Sequence, residues 1–177
     1  VIANPVLNSA CQVWQRGTST SLAANTSAYT ADRWYASTGV NQAATISRQA
    51  TGDTTNLPNI QYCARFQRNS GQTGTGNVFF AQSFESINSI QFAGKTVTLS
   101  FYARAGANYS AASSALSFYV SSGTGTDQNV GGAGFTGQAT VGVVTATLTT
   151  TWQRFTVSGT VSASATQLGV YTIFTPT

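Results

Sequence analysis

The strongest constraint in this chain is an alternation of period two. Thr96–Arg104 reads TVTLSFYAR, with Val97, Leu99, Phe101 and Ala103 on one side and Thr98, Ser100, Tyr102 and Arg104 on the other. Side chains alternate across a strand but recur every 3.6 residues on a helix, so this run buries one face only as a β-strand. Leu116, Phe118 and Val120 repeat the pattern against Ser117 and Tyr119. Phe155, Val157 and Val161 do so after Trp152, and Leu168, Val170 and Phe174 near the end. Further strands are predicted at Gln12–Gln15, Arg33–Ala36, Ala43–Arg48, Tyr62–Gln67, Val78–Phe84 and Val141–Leu148, the last rich in Thr and Val. The predicted core is Val97, Leu99, Phe101, Leu116, Phe118, Val120, Phe155, Val157, Leu168 and Val170.

Gly and Ser clusters at Asn69–Gly76, Ser121–Gly125 and Gly131–Gly137 supply turns between these runs. No long window has a 3.6 period; a single helical turn is expected near Ser86–Ile90. About ten short strands at this spacing predict an all-β fold, a two-sheet antiparallel β sandwich. A jelly roll suits the strand count, and the Cys–Trp–Cys spacing does not suit an immunoglobulin domain. The 177 residues fit one domain, 1–177. Val130 and Phe135 inside the Gly-rich stretch Gly123–Gly137 predict an ordered loop there, not a linker.

Charged residues make up 7% of the chain, against roughly 25% in ordinary soluble domains, and Ser, Thr, Asn, Gln and Gly take their place. There is no His, which removes the usual general base and every Ser–His or Cys–His arrangement. The carboxylates are Asp32, Asp53, Glu85 and Asp127; Asp53 and Asp127 sit in turns, where Asp caps backbone donors, and Asp32 is flanked by Arg33. No catalysis and no cofactor are expected. Thr126–Asn129 offers one carboxylate, too few for a firm cation site. Cys11 and Cys63 are read either as one bridge or as two buried thiols. The cations, seven Arg and one Lys, form no run, so neither nucleic acid nor membrane insertion is expected. The chain opens on Val1 with no signal peptide, so it is expected to be processed or a piece of something longer.

Aromatic residues carry the remaining signal. A sugar stacks its C–H face on an aromatic ring while amides and Arg fix its hydroxyls. Trp34 and Tyr35 are adjacent and point to opposite faces of a strand, so one looks outward. Tyr102 and Tyr119 lie opposite the apolar stripes, with Arg104 two residues from Tyr102. Trp34, Tyr35, Tyr102, Arg104 and Tyr119 are therefore the candidate saccharide- or partner-binding residues. Trp14 and Trp152 are assigned to core or rim packing.

Asn8–Gly17 (NSACQVWQRG), Tyr29–Ser37 (YTADRWYAS), Gly94–Ala105 (GKTVTLSFYARA) and Thr151–Val157 (TWQRFTV) together resemble a recurrent domain of bacteriophage tail-fibre and other virion proteins. The same ladder is similar to the carbohydrate-binding jelly rolls of secreted glycosidases. The resemblance implies a non-enzymatic virion surface protein, a tail-fibre or appendage domain that meets host-surface polysaccharide, other virion proteins and further copies of itself. The alternatives are a capsid decoration protein and a secreted carbohydrate-binding module. The carbohydrate-binding relatives hold a structural calcium with an early Glu and a late Asp. Here the early position is Gln12 and no matching late strand follows Phe174, so no metal is expected and the chain reads as shortened.

Overall fold

The computed structural model describes residues 4–177, so the first three residues of the expected 1–177 domain lie outside it. Eleven strands run in chain order: β1 (Ser19–Leu22), β2 (Ser27–Tyr29), β3 (Tyr35–Thr38), β4 (Ala44–Ala50), β5 (Tyr62–Arg68), β6 (Val78–Ser83), β7 (Thr96–Ala103), β8 (Ala115–Gly123), β9 (Ala139–Thr147), β10 (Gln153–Thr160) and β11 (Gln167–Phe174). One helical turn, α1 (Ser86–Ser89), continues into a 3-10 turn at Ile90–Phe92, and another 3-10 turn lies at Ala112–Ser114. Strand makes up 43% of the chain and helix 6%, so the all-β expectation holds. No helix among the described residues is long and apolar enough to cross a membrane.

All pairings between strands are antiparallel. A six-stranded sheet has the order β2-β3-β6-β11-β8-β9; the rest form a three-stranded sheet, β1-β4-β5, and a two-stranded ribbon, β10-β7. The two smaller sheets face the large one across the core, in a β-sandwich-like arrangement. Leu22 of β1 and Ile46 of β4 pack with Ala36, Val78, Phe80, Leu116 and Phe174 of the six-stranded sheet. Val157 of β10 packs with Val120, Leu168 and Val170, and Val97 and Leu99 of β7 close over them. Each partner of these contacts is an alternate residue of its strand, so period two in the sequence became one buried face per sheet.

The predicted core residues all face inward. Leu116, Val120, Val157, Leu168 and Val170 are buried. Val97, Leu99, Phe101, Phe118 and Phe155 are half-buried and packed against them. The Phe101 and Phe118 rings stack with centroids 3.4 Å apart. Gln12–Gln15, expected as a strand, has no strand pairing: Trp14 is buried there, its indole donating to the Cys11 carbonyl at 2.6 Å. β1 and β2, four and three residues long, carry no readable alternation, and pairing with β4 and β3 creates them.

Candidate functional site

Residues of the six-stranded sheet that do not face the core form a row across all six strands. Register pairs Tyr29 with Tyr35, Tyr35 with Ala81, Ala81 with Tyr171, Tyr171 with Tyr119, and Tyr119 with Val143. Four of these six positions are tyrosine. Tyr119 and Tyr171 stack face to face at 4.7 Å, Tyr29 meets Tyr35 edge-on at 5.3 Å, and Phe79 stacks obliquely on Tyr171 at 6.1 Å. The Tyr35 hydroxyl donates to Ser27 Oγ at 2.6 Å, which fixes the ring on the sheet. Tyr29 and Val143 are each 49% exposed, so the row reaches water at both ends.

The gap in the row at Ala81 is filled from above. The Gly-rich segment after β8 folds back over the sheet and inserts Val130 and Phe135, which are buried with Ala81 and touch Tyr171. The predicted ordered loop is therefore a cover for part of this face. Close approach needs glycine here: a Cβ on Gly131 would lie 2.8 Å from the Ala81 Cβ and 2.9 Å from the Tyr35 ring. Val130 N–H donates to Ser83 Oγ at 2.8 Å, and the Gln128 amide exchanges two hydrogen bonds with Thr136.

Where the loop meets the Tyr29–Tyr35 end, a cleft of about 450 Å³ opens, lined by Arg16, Tyr29, Asp32, Tyr35, Glu85 and Asp127 among others. Three of the chain's four side-chain carboxylates thus share one cleft. Glu85 is paired with Arg33, and this hydrogen bond holds its carboxyl below the usual range. Asp32 accepts the Gln15 N–H at 3.0 Å, and Asp127 accepts the Ser86 N–H at the start of α1 at 2.7 Å. Arg16 lies 5.8 Å from the Tyr29 ring centroid. Arg33 adopts φ 73°, a left-handed conformation costly for a long side chain, at the turn that presents it to the cleft. Aromatic rings, cations and carboxylate acceptors together form a polar pocket suited to a polyhydroxylated ligand.

The five expected site residues do not form one platform. Tyr35 and Tyr119 both face outward, two tyrosine-bearing members of the row. Trp34 points the other way: its ring stacks on Phe80 at 4.6 Å and 2°, packed against the core, and its indole donates to the Asn8 carbonyl at 3.0 Å. Register decides this, since Tyr35 rather than Trp34 stands in the outer row beside Ala81. Tyr102 and Arg104 lie on the outer face of the β7-β10 ribbon, in the other layer. Tyr29 and Tyr171 complete the row and were not singled out. Tyr171 was legible, because it alternates with Val170 and Thr172 just as Tyr119 alternates with Phe118 and Val120; Tyr29 was not, because β2 has no pattern of its own.

Cys11 and Cys63 are free thiols, so they are not bridged, and of the two only Cys11 is buried while Cys63 is half-buried. Burial, with Cys63 nearby, pushes the Cys11 thiol up to about 12. No protein-family model matches this chain, and no curated protein or solved structure is found similar to it.

Proposed function

We propose that this chain is a non-enzymatic virion surface domain of jelly-roll type, a tail-fibre or appendage element that binds neutral saccharide on the outer face of its six-stranded sheet. The virion assignment rests on the WQRG, YTADRW, SFYARA and TWQRF motifs. The binding assignment rests on one observation, the Tyr29–Tyr35–Tyr171–Tyr119 row. A sheet face left to water ordinarily carries polar side chains, and tyrosines in register on either side of the loop present ring edges and hydroxyls that can contact a sugar. The cleft at its end adds hydroxyl recognition by Asp32 and Asp127. Self-association multiplies sites that are individually weak.

A second reading has its own support. Phe79, Ile173 and Val143 extend the row with apolar surface, which suits a neighbouring virion protein, as in a capsid decoration role. A glycan array with the multimerised domain separates the two. Tyr119→Ala and Tyr171→Ala should each weaken glycan binding about fivefold, at roughly 1 kcal/mol per ring. If no glycan binds, or both folded variants bind like wild type, the face is an interface instead.

A further inference from the structure

The outer face of the ribbon ends in two Arg–aromatic pairs set side by side across the strands. Antiparallel register sets Tyr102 of β7 against Arg154 of β10. Continued by one more outward position, the same register sets Arg104 against Trp152. The Arg104 guanidinium lies 5.4 Å from the Trp152 ring centroid. The backbone positions of two aromatic residues and two arginines therefore alternate at the corners of a quadrilateral about 5 Å across the strands and about 7 Å along them. Tyr102 is 42% exposed, and Arg104 and Arg154 are exposed.

Two of the four side chains are anchored by hydrogen bonds. The Trp152 indole donates to the Thr51 carbonyl at 3.0 Å, and Arg154 donates to Ser100 Oγ at 3.1 Å. A concavity of about 480 Å³, lined by Thr51, Asp53, Leu57 and Tyr62, opens beside it. Among the described residues the only ion pair is Arg33–Glu85, on the far layer, so neither Arg104 nor Arg154 is neutralised by a carboxylate. Asp53 lies within electrostatic reach of Arg104, but forms no ion pair with it and is held instead by the N–H groups of Thr55 and Asn56.

We infer that the Tyr102–Arg154–Trp152–Arg104 lattice is a second binding site, for a saccharide bearing a carboxylate. Arg presents a planar fork that matches a carboxylate bidentately, and the rings between the two forks take the C–H faces of the sugar. This site lies on the opposite layer from the tyrosine row and differs from it in charge, so it stands independently of the neutral-saccharide reading. Nucleic acid is disfavoured because stacking platforms for a polyanion are backed by a basic track, and here two guanidiniums stand without a run of Lys or Arg around them.

Titration calorimetry with a galacturonate oligomer tests it, against a neutral galactan oligomer and oligothymidylate as comparison ligands. Galacturonate should bind, with an affinity that falls as salt rises. Arg104→Gln and Arg154→Gln should each weaken it about tenfold with unchanged thermal melting, because each removes a charge-assisted pair at an exposed position. Arg104→Lys should recover only part of the loss, since an ammonium lacks the fork. Tyr119→Ala should leave galacturonate binding intact, which separates this site from the tyrosine row. The inference is overturned if galacturonate does not bind, if the Gln variants bind it like wild type, or if the galactan binds the lattice equally well. Tighter binding of oligothymidylate, lost in the same variants, overturns it in favour of nucleic acid.

Discussion

The outer face of the six-stranded sheet and the outer face of the β7-β10 ribbon are both products of the same period-two pattern, yet they carry opposite chemistry. Away from its Arg–aromatic end, the ribbon shows water a ladder of hydroxyls. Thr96 faces Thr160 at 3.2 Å between hydroxyls, Thr98 faces Ser158 at 2.7 Å, and Ser100 faces Thr156. The large sheet shows a tyrosine row with a loop folded over its midpoint, and only one such Ser–Thr hydroxyl pair among the described residues, Ser117 with Thr145 at 3.1 Å. Hydroxyl ladders satisfy the β preference of Thr and keep the face wet without charge, which accounts for a chain with so few ionised groups. Rings on an outer face forgo that benefit. The contrast is one of surface chemistry: hydroxyls on the ribbon, aromatic rings on the large sheet.

The largest test of this contrast is Phe135→Ala. Phe135 is 7% exposed and, with Val130, joins the loop to Ala81 and Tyr171, so truncation should cost about 3–5 kcal/mol of stability. Hydrogen exchange should show the loop between β8 and β9 losing protection while β7 and β10 keep theirs. Equal loss on the ribbon would mean the two faces are not separable. A smaller effect is expected from pH. Arg33 holds the Glu85 carboxyl below its ordinary value, so this pair's stabilisation is present above the unfolded carboxylate's pKa of about 4.3. It is lost as pH falls through the lower folded value. Both side chains are about 40% exposed, so solvent screening leaves roughly 0–1 kcal/mol. Melting curves of wild type and Glu85→Gln should therefore differ slightly at neutral pH and converge in acid. The smallest effect belongs to the ladder: Thr98→Val, which keeps the β-branched shape and removes one exposed hydroxyl, should shift stability by no more than about 0.5 kcal/mol. A loss of several kcal/mol there would show that the hydroxyls bind the ribbon together.

Legibility followed the strength of the local pattern. β7 was readable nearly to its last residue because eight positions alternate without interruption, and β8, β10 and β11 followed for the same reason. β2 was not, since SAY carries one outward Tyr and no repeat, and only pairing with β3 makes it a strand. Trp152 was assigned to packing; its ring does anchor the rim through Thr51, but it also lies under Arg104. No spacing rule joins Tyr102–Arg104 to Trp152–Arg154, fifty residues apart in the chain. The acid-lined cleft has the same character. Asp32, Glu85 and Asp127 lie in three separate connecting segments, and only the packing of those segments brings them to one cleft.

The amino-acid sequence by itself determined the all-β fold class, the inward and outward sets of β7, β8, β10 and β11, and the absence of histidine from the chain. Period, composition and turn residues act locally, so each can be evaluated without knowing what any strand pairs with. The tertiary structure alone decided which outward sets share a face. Tyr35 and Tyr119 joined Tyr29 and Tyr171 because β3, β6, β11 and β8 are neighbours in one sheet, while Tyr102 and Arg104 were carried to the other layer with β7. Strand order and register are set by non-local pairing and core packing, and two residues of identical alternation can thereby end on opposite sides of the molecule.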